Sequence, residues 1–321
     1  MTILRTGSGS LASAPVLSGL KNLGVRVVTC DSDPLSFGLF IADKGYVIPK
    51  AEEPDFIDKL KEICKKEKVD AILPAVDEEI RVLARNRKFF EDDGIRLIVP
   101  QEKVVETCSD KWLTYKFFVE FAIPTPLTGI DGIPEKYPVI IKPRFGRGGR
   151  GIQKIEDKEA FCFFSKRRSD CIWQEYLQGE EFTIDILSDW EGRVISLSGR
   201  KRLATESGIS VKGIIERNKK IERLAKKIAE TLKITGPSNI QCFWKGDAPY
   251  FTEINSRLSG GLALSEKAGA RILENLVRLL SEMPPKRPTI KEGVIMLRYY
   301  EQIFLVGSKK YSNRSDYTSK V

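Results

Sequence analysis

The sequence predicts an α/β protein whose C-terminal part is α+β, and three observations support this fold class. Residues 1–100 alternate short apolar segments with amphipathic ones, a pattern typical of an open, doubly wound parallel sheet with helices on both faces. From residue 137 onward most segments have the composition of strands. The 321 residues, 41% hydrophobic and 30% charged, are enough for two or three globular lobes.

The first hundred residues are expected to alternate strands and helices. Apolar runs such as Val25–Val28 and Ala71–Leu73 suit strands that are buried on both faces. The predicted strands are TILRT, VRVVTCD, VDAILPA and IRLIVP, and the predicted helices are LASAPVLSGLKNLG, DFIDKLKEICKKEK and EEIRVLARNRKFFEDDG. The glycine turn RTGSGSLA after the first strand, with Asp31 after the second, also admits an NAD(P)-dependent enzyme. Any doubly wound sheet, however, needs a glycine turn at that point.

The remainder of the chain begins with a helix and continues mainly in strands. Ser109 or Asp110 is expected to cap the helix at 109–123, and the segment IPTP ends it. The later predicted elements are an amphipathic helix at 217–233, a hairpin at 238–256, a helix at 262–281 and a closing segment GVIMLRYYEQIFL. The predicted domains are residues 1–108, residues 109–305 and a polar, mobile tail at 306–321.

The composition excludes several classes of chemistry. The chain has no histidine, which removes histidine bases, Ser-His-Asp triads and histidine metal sites. Six scattered cysteines without a CxxC pair predict neither a zinc site nor a disulfide framework, and they favour a reducing cytoplasm. No apolar run reaches the roughly 18 residues of a membrane span, and the N-terminus is expected to be a strand and not a signal peptide.

The stretch IKPRFGRGGRGI, residues 141–152, predicts a phosphate-binding loop. It contains a literal GxGxxG, but a strand pattern follows it where a dinucleotide fingerprint requires a helix. A glycine-rich loop between antiparallel strands can offer backbone N–H groups to phosphates. Lys142 shares a strand face with Ile140, and a lysine there is costly to bury without an anion. A flexible hairpin and an arginine–glycine RNA segment are the alternatives.

The hairpin at 238–256 predicts a metal site. With the turn centred near Asp247, Gln241 lies opposite Glu253, and Asn255 shares the face of Glu253. Three oxygen ligands without cysteine or histidine favour Mg²⁺. A polar, solvated face is the alternative.

Five motifs, taken together and in this order, resemble those of ATP-grasp enzymes, in particular single-module relatives of the carbamoyl-phosphate synthase large subunit and carboxylate–amine ligases. They are SDK (109–111), PVIIKPRFGRGGRGI (138–152), QEYLQGEEFTIDIL (174–187), NIQCF (239–243) and EINSRLSGG (253–261). The resemblance covers about residues 109–300. It implies a Rossmann-like N-terminal lobe followed by an ATP-grasp domain of two α+β subdomains. One such module is present, so a complete carbamoyl-phosphate synthase is not expected.

The resemblance also implies roles for individual residues. Lys142, Arg257 and Asn255 are the implied catalytic residues, and Gln241, Glu253 and Asn255 are the implied ligands of Mg²⁺, or of Mn²⁺ in its place. The implied ATP contacts are Lys111, Lys142, the lid residues Arg147, Gly148, Gly149 and Gly151, the adenine-bordering Glu175, Tyr176 and Leu177, and the ribose-binding Glu181.

The predicted function is an ATP- and Mg²⁺-dependent ligase. It activates a small carboxylate, such as an amino acid, as an acyl phosphate for attack by an amine or another nucleophile such as a thiol. The carboxylate is expected to dock at 257–269 with help from the basic segment 199–213, and solvated basic residues beside a glycine turn are the alternative. The candidate substrate residues are Arg200, Arg202, Lys212, Arg257, Ser259, Gly260 and Gly261.

Two other function classes remain open at this point. One is the NAD(P)-dependent enzyme, and the other is a non-catalytic nucleotide-binding or RNA-binding module. An intact set of metal ligands argues against the second class. The expected partners are small-molecule substrates, with no nucleic acid and no membrane, and a homodimer is compatible with this prediction.

Overall fold

The computed structural model describes residues 1–146, 148–166 and 170–305. Its N-terminal lobe contains a five-stranded parallel sheet with the order β3-β2-β1-β4-β5. The strands are β1 (Thr2–Thr6), β2 (Arg26–Asp31), β3 (Lys44–Val47), β4 (Ala71–Leu73) and β5 (Arg96–Leu97). The helices are α1 (Ser13–Asn22), α2 (Gly38–Ile41), α3 (Phe56–Glu67), α4 (Asp77–Arg85) and α5 (Arg87–Glu91). The strand order reverses between β1 and β4, where ligands bind in open sheets of this kind.

Two details of this lobe differ from the sequence prediction. The short elements α2 and β3 were not predicted, because each has only four residues and no clear period. The third predicted helix is divided into α4 and α5 at Asn86. Asn86 leaves the helical conformation, with a φ of -102° and a ψ of 21°, and its side chain donates a 2.9 Å hydrogen bond to the Val82 carbonyl oxygen, which also accepts from the Asn86 backbone N–H.

The first subdomain after this lobe is built on a four-stranded antiparallel sheet with the order β6-β9-β7-β8. Asp110 caps α7, because its carboxylate accepts hydrogen bonds from the backbone of Trp112 and Leu113. The helices α6 and α8 were not predicted. The elements are α6 (Glu102–Ser109), α7 (Lys111–Glu120), β6 (Thr128–Gly129), β7 (Val139–Pro143), β8 (Gln153–Ile155), α8 (Lys158–Ser165) and β9 (Cys171–Glu175).

The second subdomain is a six-stranded antiparallel sheet with the order β14-β13-β10-β11-β12-β15. The apolar stripe of α9 packs on one face of this sheet. The elements are β10 (Glu180–Ser188), β11 (Val194–Glu206), β12 (Ile209–Ile215), α9 (Lys219–Thr231), β13 (Gly236–Lys245), β14 (Ala248–Asn255), α10 (Leu262–Lys267), α11 (Ile272–Leu280) and β15 (Ile295–Leu297).

The helix predicted at 262–281 is two helices. Gly269 has a φ of +98°, and Arg271 at the N-cap of α11 has a φ of +54°, so the chain turns between α10 and α11. A Cβ on Gly269 would lie 2.4 Å from the carbonyl oxygen of Thr289, so only glycine allows the chain to cross there.

The N-terminal lobe and the second subdomain share a hydrophobic core. Ile3 and Val27 of the parallel sheet belong to the same buried cluster as Leu262, Leu273 and Leu276 of α10 and α11. This shared core fixes the carboxyl edge of the parallel sheet beside the end of β14. Among the helices described, none has both the length and the apolar character needed to cross a membrane.

Candidate active site

Lys142 lies on β7 with a buried side chain. Its ammonium group donates a 2.8 Å hydrogen bond to the amide oxygen of Gln174 on β9. Burial lowers the pKa of Lys142 to about 8; the charge of Glu253 opposes this change and that of Lys111 adds to it. Glu253 and Lys111 therefore both lie close enough to Lys142 to influence its charge.

The entrance of the glycine-rich loop is held to the start of α7. Lys111 donates a 2.8 Å hydrogen bond from Nζ to the carbonyl oxygen of Gly146, and its backbone N–H donates to the carbonyl oxygen of Arg144. Arg144 forms two hydrogen bonds, of 2.8 and 2.6 Å, with the carboxylate of Asp110. Lys111 therefore lies directly beside the loop.

The loop itself reaches across to the second subdomain. Gly148, Gly149 and Gly151 all have positive φ angles, which glycine adopts without strain. At the turn between β11 and β12, a Cβ on Gly208 would lie 2.6 Å from the Cα of Gly148. The two backbones are thus in contact through glycine on both sides. Arg147, predicted with this group, lies outside the described residues.

The hairpin of β13 and β14 brings the predicted metal ligands onto facing strands. Gln241 pairs with Glu253, as the sequence predicted, and Asn239 pairs with Asn255. The described residues contain no cluster of three or more acidic or cysteine side chains that could bind a metal without help. One carboxylate and two amide oxygens suit Mg²⁺ that arrives with phosphate oxygens, because Mg²⁺ usually takes few protein carboxylates.

Asn255 and Arg257 are joined to the N-terminal lobe. The guanidinium of Arg257 donates to the Asp77 carboxylate at 2.8 Å through Nε, and to the Asn255 amide oxygen at 3.3 Å. The Asn255 amide group donates to Asn239 at 3.2 Å. Asp77 is the first residue of α4, so the site includes the switch point of the parallel sheet.

A cleft joins these parts. It lies between the first turn of α4, the start of α7, the entrance of the glycine-rich loop and the end of β14. Its lining residues are Asp77, Glu78, Arg81, Cys108, Ser109, Lys111, Phe145, Gly146, Glu253, Ile254, Asn255 and Ser256. The cleft thus contains predicted phosphate, metal and catalytic residues from both α+β subdomains together with acidic residues of the N-terminal lobe.

The predicted adenine-bordering residues connect the two sheets. Glu175 ends β9, and Lys245 of β13 lies 3.3 Å from its carboxylate. Lys154 of β8 lies 4.4 Å from the centre of the Tyr176 ring. Leu177 is buried. The segment therefore lies between β8 and β13, at the junction of the two subdomains.

Glu181, predicted to bind ribose, forms an ion pair with Arg202, which was predicted to bind the carboxylate substrate. Burial raises the pKa of Glu181, and Arg202 opposes that change. Arg202 also donates a 2.8 Å hydrogen bond to the carbonyl oxygen of Gly208. Arg202 therefore lies between the candidate ribose acid and the turn that the glycine-rich loop contacts.

Arg200 is fully buried and makes three side-chain contacts. It binds Asp185 at 2.9 Å, Ser210 at 2.9 Å and Ser259 at 3.0 Å. A Cβ on Gly261 would lie 2.4 Å from the guanidinium carbon of Arg200. Arg200 therefore fixes the turn that follows Arg257 from inside the core.

The remaining candidate substrate residues are dispersed. The carbonyl oxygen of Gly260 accepts a 2.6 Å hydrogen bond from Arg298, and Lys212 on β12 has an exposed side chain. The helix expected to receive an anion at its N-terminus is α10, which has only six residues. Its N-terminus alone is therefore a weak basis for an anion site.

The glycine turn of the N-terminal lobe is filled by its own chain. The Asp31 carboxylate accepts hydrogen bonds from the backbone of Gly9 at 2.7 Å and from the hydroxyl of Ser36 at 3.0 Å. A Cβ on Gly38 would lie 2.4 Å from the carbonyl oxygen of Ser8. The space that a pyrophosphate and a ribose occupy in a dinucleotide site is therefore taken by residues 36–38.

Comparisons with known proteins agree with this architecture. A family model described as ATP-grasp in the biosynthetic pathway with Ter operon matches residues 167–303, and a PylC-like N-terminal domain model matches residues 12–98. The chain is 25% identical to the carbamoyl-phosphate synthase of Methanobrevibacter smithii, over 88% of this chain and 80% of that one. It is 25% identical to the carbamoyl phosphate synthase large chain of Clostridium botulinum, over 80% of this chain, but spans only 26% of that chain.

Two solved structures share the fold. The biotin carboxylase domain of Hydrogenobacter thermophilus 2-oxoglutarate carboxylase, solved with MgADP, ADP and bicarbonate, superposes with a TM-score of 0.72 at 19% identity, covering 92% of this chain and 73% of that one. The L-amino acid ligase of Bacillus licheniformis superposes with a TM-score of 0.68 at 16% identity, covering 89% of this chain and 75% of that one.

The chain is therefore similar to ATP-grasp enzymes over residues 167–303 and to PylC-like N-terminal domains over residues 12–98. The resemblance seen in the sequence and the predicted fold class are both confirmed.

Several cleft residues were not found by sequence reasoning. Asp77 and Arg81 come from α4, and the centre of the Phe145 ring lies 5.4 Å from the guanidinium of Arg81 and 5.5 Å from that of Arg144. Gln174 belongs to one of the five motifs, but the sequence did not indicate a role for it. One signal was available in the sequence: the run DEE at 77–79 comes shortly after a buried strand, and residues near the carboxyl end of such a strand face the switch point.

Proposed function

We propose that this chain is an ATP- and Mg²⁺-dependent ligase that activates a small carboxylate as an acyl phosphate and joins it to an amine or another nucleophile. The observation that carries the proposal is the convergence of Lys142, Lys111 and Glu253 beside a glycine-rich loop. A buried ammonium whose one hydrogen-bond partner among the described residues is a neutral amide favours an anionic ligand.

The first step would form a bond between a carboxylate oxygen and the γ-phosphorus while the bond to ADP breaks. Lys142 and Lys111 would offset the charge on the moving phosphoryl group. Glu253, Asn255 and Gln241 would hold Mg²⁺, which supplies further positive charge to the phosphate oxygens. In the second step the nucleophile attacks the acyl carbon and phosphate leaves. The glycine-rich loop would exclude water from the acyl phosphate.

Arg257 is the proposed contact for the substrate carboxylate. It lies at the meeting point of the metal hairpin and the switch point, and a guanidinium binds a carboxylate through two parallel hydrogen bonds. The N-terminal lobe then contributes the opposite wall through the first turn of α4. The acids to test first are bicarbonate and amino acids, since two proteins of this fold are a bicarbonate-bound carboxylase domain and an amino acid ligase.

Phosphate release from ATP in the presence of candidate acids and amines, with mass spectrometry of the products, tests the reaction. Thermal unfolding with Mg-ATP and with NAD(H) tests the ligand, because a ligand that binds only the folded state raises the melting temperature. A clear rise with NAD(H) and none with Mg-ATP would overturn the proposal.

Two variants test the assignments within the site. Lys142→Ala and Glu253→Gln should each lower turnover roughly 10²-fold or more, because each removes a charge placed for the triphosphate. Lys116→Ala and Glu120→Gln make the same changes at exposed positions on α7 and should leave turnover near normal. Near-normal activity of either site variant at saturating substrate would remove that residue from the mechanism.

The NAD(P) alternative is disfavoured by the packing of residues 36–38 against the glycine turn. A non-catalytic nucleotide-binding module is disfavoured by the Gln241–Glu253 register, since binding alone does not require a complete metal hairpin. A cytoplasmic location is part of the proposal, because within the described residues no disulfide links any of the six cysteines. Assembly as a homodimer is also proposed, by analogy with the dimeric biotin carboxylase domain, and light scattering tests it.

A further inference from the structure

Three side chains on three adjacent strands form one hydrogen-bonded chain that ends at Lys142. The hydroxyl of Thr128 on β6 donates to the carbonyl oxygen of Pro126 at 3.0 Å. The side-chain amide of Gln174 donates to that hydroxyl at 2.8 Å, and its oxygen accepts from Lys142 at 2.8 Å. All three side chains are buried.

The direction of this chain is fixed by chemistry. The carbonyl oxygen of Pro126 can only accept, so the single hydroxyl proton of Thr128 is used there. The Thr128 oxygen can then only accept from Gln174, which turns the amide oxygen of Gln174 toward Lys142. An amide in the reverse orientation would place an N–H group against an ammonium, and both can only donate.

The sheet register explains how the partners meet. Gln174 pairs directly with Thr128 on one side and with Ile140 on the other. Lys142 lies two residues beyond Ile140 on the same face of β7, which is the diagonal distance that a long side chain can span.

The partner of Lys142 is the neutral amide of Gln174, which accepts a hydrogen bond without neutralising the ammonium. A carboxylate at position 174 would form a buried ion pair and compete with phosphate oxygens for the ammonium. An apolar residue would leave the ammonium buried with no hydrogen bond at that position, which is costly. A neutral acceptor satisfies one N–H and leaves the positive charge for an incoming anion.

We propose that Gln174, oriented by Thr128, is a positioning residue that holds the Lys142 ammonium toward the phosphate groups of ATP without itself neutralising the charge. This inference rests on the proposed function. Among the described residues, the charged groups that influence Lys142 from neighbouring elements are Lys111 on α7 and Glu253 on β14, and neither is changed in the variants that test the proposal.

The test is the dissociation constant of Mg-ATP, measured calorimetrically between pH 6.5 and 9.5. In the wild-type protein the affinity should fall above about pH 8, up to roughly tenfold per pH unit, as the lysine loses its proton. Gln174→Glu should weaken binding at least about tenfold at pH 7 and shift the alkaline loss of affinity to higher pH, because a carboxylate stabilises the ammonium while neutralising it.

Two further variants separate positioning from packing. Gln174→Met keeps the volume without the acceptor, so binding should weaken and the alkaline loss should begin at lower pH. Thr128→Val should also weaken Mg-ATP binding and lower the pH at which affinity is lost, but by a smaller amount than Gln174→Met. Thr128→Ser should retain the wild-type affinity and pH profile because it keeps the hydroxyl. Gln178→Glu adds the same charge at an exposed position four residues away, and it should leave the pH profile unchanged.

The outcomes are distinguishable. If wild-type protein does not bind Mg-ATP, the proposed function fails. If it binds and Gln174→Glu, folded by thermal unfolding, shows wild-type affinity and an unshifted pH profile, the positioning role alone is wrong. If Gln174→Glu does not fold, the Thr128 pair decides the question in the same way.

Discussion

Arg257 and Asp77 form an ion pair, with 2.8 Å between Nε and the carboxylate oxygen, that joins the end of the metal hairpin to the N-terminal lobe. The residues are 180 positions apart in sequence. The guanidinium that is proposed to bind the substrate carboxylate is therefore already bound to a carboxylate of the protein. The incoming acid must compete with Asp77 for it, so the affinity for the acid depends on residues of both lobes.

Arg257→Lys should lower turnover at least about tenfold while the protein remains folded. Lysine keeps the charge, but it loses the planar guanidinium that contacts Asp77 and Asn255 and that would bind a substrate carboxylate in place of Asp77. Steady-state kinetics measures this effect, with the exposed Arg223→Lys as the control. Equal turnover of the two variants would show that the fork of Arg257 has no part in the reaction.

Gly208→Ala should raise the KM for ATP and lower turnover about tenfold. The added Cβ would lie 2.6 Å from the Cα of Gly148, so the glycine-rich loop could not keep its contact with the turn between β11 and β12. Gly246→Ala is the matched control, because Gly246 also has a positive φ in a strand turn but a Cβ there meets nothing within 4 Å. Both variants carry the same backbone strain, on the order of 1 kcal/mol, and only Gly208→Ala should change the kinetics.

Arg202→Ala distinguishes two assignments of the basic segment. Because Arg202 pairs with Glu181, the structure favours an effect on the nucleotide, and we expect a higher KM for ATP. The sequence instead placed Arg202 among the candidate substrate residues, which predicts a higher KM for the carboxylate with the KM for ATP unaffected. Steady-state kinetics with each substrate varied in turn decides between the two assignments. If only the KM for the carboxylate rises, Arg202 belongs to the carboxylate site and not to the nucleotide site.

Glu79→Gln should stabilise the fold at neutral and alkaline pH. Burial raises the pKa of Glu79 to about 7, although the 2.5 Å hydrogen bond from Thr6 opposes the change. The folded state therefore binds more protons than the unfolded state between about pH 4.5 and 7, and stability is lost as the pH rises through that range.

Glutamine mimics the protonated carboxyl and removes this loss. Above pH 7 the variant should gain on the order of 3 kcal/mol in the free energy of unfolding, and the gain should shrink toward pH 4.5. Chemical denaturation across this range measures it, with the exposed Glu120→Gln as control. A gain of the same size at every pH would contradict the buried carboxyl as its source.

The parts of the site that depend on local sequence could be predicted. The pairing of Gln241 with Glu253 follows from the position of one turn and the two-residue period of strands. The burial of Lys142 follows from its place in an apolar strand next to a glycine-rich loop. Each of these two predictions depends only on residues that are close together in the sequence.

The parts of the site that depend on tertiary packing could not be predicted from the sequence. The ion pair of Arg257 with Asp77 forms because α4 and the end of β14 share one cleft, which no spacing in the sequence reveals. The assignment of Arg200 to an open basic patch missed its burial against Asp185 on the adjacent strand. Charged residues in a strand are ambiguous in this way until their partners across the sheet are known.

Asp110 gives the glycine-rich loop an asymmetric attachment. One carboxylate both caps α7 and holds Arg144, so the incoming end of the loop is fastened to a helix. The outgoing end enters β8, an outer strand of its sheet. We therefore expect the incoming end of the loop to stay attached at Arg144, while the contact between Gly148 and Gly208 is the one that breaks when the loop moves. Release of the spent nucleotide would then require the approach of Gly148 and Gly208 to be broken, while the attachment of Arg144 to Asp110 persists.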